Sequence, residues 1–204
     1  MSLEIRGLSK SFDGKAILEG FSYKFDNTGI YAIMGNSGVG KTTLLRLIAG
    51  LDKKYEGEII GGGSNNTSFV FQEYRLFPTL SALENVVLAN NESMSEEAIQ
   101  QARGLLLTLG FKDEELSLRP EALSGGMKQR VSLARAIMRK KPILLLDEPT
   151  KELNEELAAQ VLEMLVELSK SRLVIFVTHK ESDVTQSAAV KITLANESTA
   201  KGLT

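Results

Sequence analysis

Four short apolar runs, each ending at a polar residue or a glycine, constrain the fold of this chain more than any other feature. They are residues 30–34 before Gly35, 68–71 before Gln72, 143–146 before Asp147, and 173–177 before Thr178 and His179. Continuous apolar runs of this length are typical of strands buried on both faces, as in a parallel α/β sheet. Because ligands bind beyond the carboxyl ends of such strands, we expect Gly35, Gln72, Asp147 and His179 to be neighbours.

Length, charge and cysteine content narrow the class of protein. The 204 residues suffice for one sizeable core, alone or with a small insertion. A formal net charge of −2 gives no basic footprint, so no nucleic acid partner is expected. The absence of cysteine excludes disulfides, thiolate metal sites and a cysteine nucleophile. Apolar runs fall far short of the ~18 residues of a membrane span, and residues 1–10 lack a signal-peptide core, so we expect no membrane crossing and no N-terminal signal.

The N-terminal residues follow a different pattern. Between residues 3 and 25, apolar and polar residues alternate around an Asp13-Gly14 pair, which predicts an antiparallel ribbon with a tight turn. The glycine-rich segment 61–68 is most simply a mobile loop without a function. From the alternation between residues 3 and 25 we expect an N-terminal antiparallel β ribbon in addition to the buried sheet.

Helical periodicity recurs in three segments, 95–110, 127–138 and 153–168. The first has Ser93 and Glu96 at capping-box spacing and Gly110 after its end. We interpret about 77–139 as a helical subdomain inserted into an α/β core of 1–76 and 140–204. The whole chain, 1–204, is then a single domain.

A glycine-rich loop, Gly35-x-x-x-x-Gly40-Lys41-Thr42, stands between a predicted strand and a helical segment. In that context the glycines let backbone N–H groups point at a phosphate, and the helix N-terminus adds positive potential. Lys41 can reach the β and γ phosphates of a nucleotide, and the Thr42 hydroxyl can ligate Mg²⁺. The alternative is a glycine-rich turn without a ligand, which the flanking strand and helix disfavour.

Two carboxylates, Asp147 and Glu148, follow the third apolar run. The first can hold a Mg²⁺ water while the second orients or deprotonates an attacking water. Acidic residues at strand ends are usually just solvated, so the pair gains its weight from the phosphate loop upstream. Up to this point the motifs predict an α/β P-loop NTPase (RecA-like) core of any kind.

A second motif, Leu-Ser-Gly-Gly-Met-Lys-Gln-Arg at 123–130, narrows the class. Together with the motifs above, Phe12, Gln72 and His179, and in the same order, it makes the chain resemble the ATP-binding subunit of ABC transporters across essentially its whole length. The segment 72–78 resembles the importer pattern, and Met127 resembles the signature variant of nitrate, sulfonate and taurine motors.

The resemblance implies a role for each motif residue. Phe12 would stack on adenine, and a loop would bind the phosphates of ATP. The loop residues are Gly35, Asn36, Ser37, Gly38, Val39, Gly40, Lys41, Thr42 and Thr43. Mg²⁺ would be held by Thr42, Gln72 and Asp147, and the catalytic residues would be Glu148, His179 and Lys41. Plainer alternatives are a packing aromatic for Phe12, a polar strand end for Gln72 and a structural histidine for His179.

The resemblance also implies a site that works in trans. Ser124, Gly125, Gly126 and Gln129 would bind the ATP held by a second subunit. A serine hydroxyl, bare glycine N–H groups and a helix N-terminus do form an anion site, although a Ser-capped helix start is the plainer alternative. Two copies, head to tail, would sandwich two ATP molecules, and we expect a homodimer.

The chain departs from the family after Thr150, where small residues, Leu and Asp are usual. Here the run is Lys151-Glu152-Leu153-Asn154. Asn154 keeps the shape of Asp without its charge, and Lys151 adds a bulky cation. Because the family places this segment at the subunit seam, it bears on the coupling between the two sites. We expect hydrolysis to survive, since the predicted catalytic and metal residues are all present.

By resemblance, the chain is the ATPase motor of an importer for a small anionic or organic solute. It would sit peripherally on the cytoplasmic face of the cell membrane, with transmembrane permease subunits and a solute-binding protein as partners. Residues 74–80 would border the groove that receives a permease helix. The alternatives are an exporter-type motor, a soluble ABC ATPase of DNA repair or translation, and a regulatory subunit with little turnover.

Overall fold

The computed structural model describes residues 2–90 and 94–195. Within these residues the strands are β1 (Glu4–Phe12), β2 (Lys15–Lys24), β3 (Gly29–Met34), β4 (Glu56–Ile60), β5 (Thr67–Val70), β6 (Ile143–Asp147), β7 (Leu173–Val177) and β8 (Val190–Thr193). The α-helices are α1 (Lys41–Ile48), α2 (Ala82–Val87), α3 (Glu96–Thr108), α4 (Gly125–Met138), α5 (Glu155–Ser169) and α6 (Glu181–Ser187). Short 3₁₀ turns lie at Leu88–Asn90, Asp113–Glu115 and Pro120–Ala122.

A parallel sheet in the order β5-β6-β7-β3-β8 forms the centre of the described chain. Its strands β6 and β7 are buried at every position, which confirms the interpretation of the apolar runs as buried strands. Strand β5 ends at Val70, one residue before the predicted end. Successive residues alternate between two cores, as when Leu144 faces one side and Leu145 the other.

The N-terminal ribbon forms as predicted, with Phe12 opposite Lys15 and positive φ at the turn residues Asp13 and Gly14. The ribbon acquires a third strand, because β4 pairs antiparallel with β1 on the side away from β2. This pairing was not predicted. Strand β4 is mostly exposed and lacks an apolar stripe that would mark it in the sequence.

The glycine-rich segment 61–68 differs from its prediction as a mobile loop. The Gly63 N–H donates to Ile48 O at 2.8 Å, and the Asn66 amide donates to Gly61 O and Gly62 O at 3.2 Å each. A Cβ on Gly62 would come within 2.6 Å of Ile48 O. The glycines therefore allow close packing of this segment against the end of α1.

Helix α3 begins at Glu96, and the Ser95 hydroxyl accepts a hydrogen bond from Ala98 N. The predicted capping box of Ser93 with Glu96 is therefore wrong, and Ser93 itself lies outside the described residues. Gly110 follows the helix with a φ of 77°, as its predicted position after the helix end requires.

Two apolar cores lie on the two faces of the parallel sheet. Helices α2, α3, α4 and α5 cover one face, while α1 and the antiparallel sheet cover the other. Helix α4 contacts strand β5 as well as α2 and α3. The division into a core and a subdomain at 77–139 stays a prediction. None of the helices within residues 2–90 and 94–195 combines the length and apolar character needed to span a bilayer.

Candidate active site

The glycine-rich loop joins β3 to α1, and its backbone requires glycine at two positions. Gly35 has a φ of 148°, and a Cβ there would lie 2.5 Å from Leu194 O. Gly40 has a φ of 102°, and a Cβ there would meet Ile17 Cγ2 at 2.8 Å. Gly40 is also the N-cap of α1, where no side-chain cap bond is formed within the described chain. The helix N-terminus is therefore available to an anion.

Lys41 is the first residue of α1 and is almost fully buried beneath the loop. Its Nζ donates to Gly35 O and to Asn36 O, at 2.9 Å each. Burial lowers the pKa of Lys41 from its ordinary value, while the carboxylates of Glu148 and Asp147 act in the opposite direction. The ammonium is thus a fixed positive charge inside the loop.

Asp147 ends strand β6 with 2% of its surface exposed. Burial raises the pKa of Asp147; the Thr42 hydroxyl opposes this and the charge of Glu148 adds to it. Among the described residues no basic side chain forms an ion pair with it. Thr42, Gln72 and Asp147 line one small cleft, so the three predicted metal residues are brought together.

This donor set fits Mg²⁺. One carboxylate, one hydroxyl and one amide oxygen are hard oxygen donors, and Mg²⁺ keeps waters and phosphate oxygens for its other positions. Within residues 2–90 and 94–195 no three His, Asp or Glu side chains form a cluster that could hold an ion alone. The site therefore suits a metal that arrives with a phosphate ligand.

Glu148 follows Asp147 in a left-handed conformation, with a φ of 52°. Its N–H donates to Val177 O at 3.1 Å, which ties it to the end of β7. His179 Nε2 lies 3.1 Å from Glu148 Oε1, and Lys151 Nζ lies 2.8 Å from Glu148 Oε2. A left-handed backbone at a residue that is not glycine costs roughly 1 kcal/mol, and such strain is common at functional positions.

A cleft with a volume of about 600 Å³ is lined by residues of the loop and by Glu148. Of the predicted residues it is lined by Phe12, Ser37, Gly38, Gly40, Lys41, Thr42, Thr43, Gln72, Glu148 and His179. Phe12 lines the cleft and has 48% of its surface exposed. Gly35, Asn36 and Val39 do not line it; Val39 packs into the core beneath the loop.

The four residues predicted to act in trans lie apart from this cleft. Ser124 is the N-cap of α4, and its hydroxyl accepts from Met127 N at 3.3 Å. A Cβ on Gly126 would lie 2.8 Å from Glu152 O, so close backbone approach requires this glycine. Gln129 is 3% exposed, and its amide donates to Pro149 O of the same chain at 3.4 Å. The role in a partner's site stays a prediction for all four, and for Gln129 the burial favours a structural role.

One buried contact near the site escaped the sequence reasoning. Asp183 Oδ2 accepts hydrogen bonds from Thr150 Oγ1 and from Thr178 Oγ1, both at 2.7 Å. These bonds join the turn after β6 to the turn after β7, and so hold Glu148 beside His179. Only the adjacency of β6 and β7 in the folded sheet brings these side chains together.

The fold and the site together define a P-loop nucleotide-binding ATPase, with the glycine loop, lysine and strand-end carboxylates at one edge of a parallel sheet. A family model described as ABC transporter matches residues 18–151. The chain belongs to the ABC transporter family and is an ATP-binding subunit of that family.

Relatives and solved structures agree with this assignment. An aliphatic sulfonates import ATP-binding protein of Bacillus cereus is 36% identical over 193 residues, which cover 88% of this chain and 75% of that protein. An L-cystine transport system ATP-binding protein of Escherichia coli is 36% identical over 205 residues, covering 89% of this chain and 81% of the relative. A dimeric ATP-binding cassette in a post-hydrolysis state with ADP and Pi superposes with a TM-score of 0.85 at 29% identity, covering 94% of each chain.

Proposed function

We propose that this chain is the ATP-hydrolysing motor subunit of an ABC importer. The observation that carries the proposal is the cleft in which Lys41, Thr42, Gln72, Glu148 and His179 meet beside the buried Asp147. The names of its relatives, import ATP-binding proteins for sulfonates and a transport subunit for cystine, support the importer assignment. A small anionic or organic solute is the cargo class that we infer.

The residues that line the cleft suit ATP. The triphosphate would lie on the loop amides and the N-terminus of α1, with Lys41 facing the β and γ phosphates. The adenine would stack on Phe12, which also lines the cleft and is half-exposed. Such stacking contributes about 1 to 3 kcal/mol per base and tolerates any base.

Thr42, Gln72 and Asp147 would hold Mg²⁺ against the phosphates. When bound, the ion would neutralise charge that develops on the transferring phosphoryl group. Asp147 and Lys41 are both almost fully buried. The local dielectric constant is therefore low, which strengthens each charge interaction there.

Glu148 is the residue that we propose to accept the proton of the attacking water. Among the described residues, it is the one carboxylate that lines the cleft. His179 lies 3.1 Å from it and can orient both the carboxylate and the γ-phosphate. The network of Asp183 with Thr150 and Thr178 fixes the two turns that carry Glu148 and His179.

A second copy of the chain would complete each site. The N-terminus of α4, with Ser124 and Gly125, is at the surface and lies outside the chain's own nucleotide cleft. An anion site so placed suits the γ-phosphate of ATP bound to a partner. The related cassette of known structure is dimeric, which supports a head-to-tail homodimer.

A second groove suits a helix of the permease subunits. It has a volume of about 380 Å³ and combines apolar with basic side chains. The apolar ones include Leu51, Phe71, Phe77 and Leu88, and the basic ones are Arg75, Arg135 and Arg139. Charge complementarity favours a permease helix that presents apolar and acidic side chains. This docking would hold the chain on the cytoplasmic face of the membrane, with a solute-binding protein on the other side.

The test of the proposed function is the effect of Glu148→Gln on steady-state ATP hydrolysis. Loss of a general base lowers turnover by about 10² to 10⁴-fold, and ATP should still bind because the loop is intact. The matched control is Glu156→Gln, the same change at an exposed position of α5, which should hydrolyse ATP normally. Turnover of Glu148→Gln within a few-fold of the unaltered chain would contradict the proposed role.

A further inference from the structure

Lys151 contacts the carboxylate to which the proposed function assigns proton transfer. The left-handed backbone of Glu148 starts a tight turn, which the hydrogen bond from Lys151 N to Glu148 O closes at 3.2 Å. The two side chains therefore lie on the same side of the turn, and Lys151 Nζ stands 2.8 Å from Glu148 Oε2. Both side chains line the nucleotide cleft.

The Glu148 carboxylate is confined on both of its oxygens. Oε1 faces His179 Nε2 at 3.1 Å, while Oε2 faces Lys151 and is closed off from solvent. A general base needs an oxygen within about 3 Å of the water whose proton it takes. In this arrangement Oε2 has no access to such a water, because it is closed off from solvent.

The turn itself is anchored from the opposite side. Gln129 in α4 donates to Pro149 O, and the backbone of Glu152 packs against Gly126 too closely to admit a Cβ. The Lys151 side chain thus extends from a backbone that is held in place. Its ammonium therefore restrains the position of the Glu148 side chain.

We propose that Lys151 is a positioning residue that restrains Glu148 away from the attacking water, so that a neutral residue at 151 allows faster hydrolysis. This inference rests on the proposed role of Glu148 in hydrolysis. Lys151, which departs from the family pattern, would thus act on a residue of its own chain.

The restraint is weak enough to open during each turnover. The Lys151 side chain is 51% exposed, and an ion pair with one exposed partner is screened by water and salt. Removing such a pair changes an equilibrium by about two- to fivefold, which sets the size of the expected effect.

The experiment compares Lys151→Met with Lys151→Arg in the full-length chain. ATP hydrolysis is measured at protein concentrations high enough that the rate per chain no longer changes with concentration. ATP affinity is measured separately by equilibrium binding. Lys151→Met keeps the stem without the charge, so kcat should rise about two- to fivefold while KM and ATP affinity stay unchanged. Lys151→Arg keeps the charge and should retain the unaltered kcat.

Lys170→Met is the matched control. Lys170 forms an ion pair of the same i,i+3 spacing with Glu167 at the end of α5, outside the cleft, and its loss should leave kcat unchanged. A kcat for Lys151→Met that is equal or lower overturns the inference. So does a loss of ATP affinity, which would make Lys151 a nucleotide contact, and so does an arginine variant that behaves like the methionine variant.

Glu148→Gln separates this inference from the function on which it rests. If Glu148→Gln is inactive and the Lys151 variants match the unaltered chain, only the restraint is wrong. If Glu148→Gln hydrolyses ATP at the unaltered rate, the proposed role of Glu148 fails, and the inference about Lys151 fails with it.

Discussion

At the scale of single residues, Lys10 joins strand β1 to the loop at 52–54 and lies beside the candidate base-stacking ring. Its side chain is only 5% exposed, and its Nζ lies 2.7 Å from Asp52 Oδ2 and 2.6 Å from Lys54 O. The same ammonium stands 4.5 Å from the centroid of the Phe12 ring. A buried cation requires such partners, because an unpaired one would be strongly destabilising. The ion pair of Lys10 with Asp52 therefore supports one face of the Phe12 ring.

We expect Asp52→Asn to lower the free energy of unfolding by about 1 to 3 kcal/mol at pH 7, since Lys10 loses its anionic partner. The Lys10 contact lowers the pKa of Asp52 below its ordinary 3.8. Its stabilisation is therefore fully present above that value and is lost as pH falls further. The difference between Asp52→Asn and the unaltered chain should shrink below pH 3.8 in urea titrations.

Asp113→Asn is the control for this prediction. Asp113 pairs with Arg103, and both side chains are well exposed, so this change should cost about 0.5 kcal/mol or less. If both substitutions lowered the free energy of unfolding equally at pH 7, burial of Lys10 would not strengthen its ion pair with Asp52.

The sequence predicted residues whose role depends on local pattern. The glycines of the phosphate loop, Lys41 and the strand-end Asp147 all stand next to runs that identify their strand or helix. The contact of Lys151 with Glu148 depends on a positive φ at a glutamate, which no residue type signals. The burial of Gln129 depends on where α4 meets the turn after β6. Such contacts become visible only in the folded chain.

At the scale of elements, the segment 74–81 is held rigidly between α2 and α4. Asn85 is fully buried; it accepts from Phe77 N and donates to Phe77 O, Leu80 O and Ser81 O. From α4, Arg135 donates to Tyr74 O and Arg75 O. Phe77 is left 54% exposed on this fixed segment, at the edge of the second groove. A large exposed aromatic on a rigid support is typical of a docking anchor.

We expect Phe77→Glu to uncouple transport while ATP binding remains. A charge at an apolar anchor weakens docking, and among three groove arginines it also alters the pairing that the permease helix makes. Recovery of the chain with its permease subunits should fall by roughly tenfold or more, with solute uptake falling alongside.

Val190→Glu is the matched control, since Val190 has a similar exposure of 50% and lies on the edge strand β8, outside the groove. It should retain both docking and uptake. If Phe77→Glu docks as well as Val190→Glu, the groove is not the permease site.

Elements were predictable where their pattern is strong, and less so where pairing is distant. The buried strands β6 and β7 stand out because both faces are apolar. Strand β4 joins the N-terminal sheet through β1, some fifty residues earlier, with little burial to mark it. The segment 61–68 has a composition that suggests mobility, yet its glycines permit the close packing against α1 that fixes it.

At the scale of the whole molecule, one chain holds two motifs that we propose to bind phosphate, but only one of them lines its proposed nucleotide cleft. The loop at 35–43 lines that cleft, whereas Ser124 and Gly125 lie elsewhere at the start of α4. Side-chain movement alone could not bring the two motifs together, because the sheet and α4 pack into one core. A pair of chains in head-to-tail contact would give each triphosphate both motifs. The assembly is therefore expected to depend on bound ATP.

We expect Glu148→Gln with saturating Mg-ATP to change from one chain to two, as measured by light scattering, because the uncleaved γ-phosphate keeps both motifs engaged. Adding Ser124→Glu should abolish the dimer while ATP still binds, since a carboxylate at that N-cap repels the phosphate. Adding Ser117→Glu, the same change at an exposed serine outside α4, should leave the dimer intact. A dimer that survives Ser124→Glu would mean that the chains associate through another surface, and the trans role of the 124–126 loop would then be wrong.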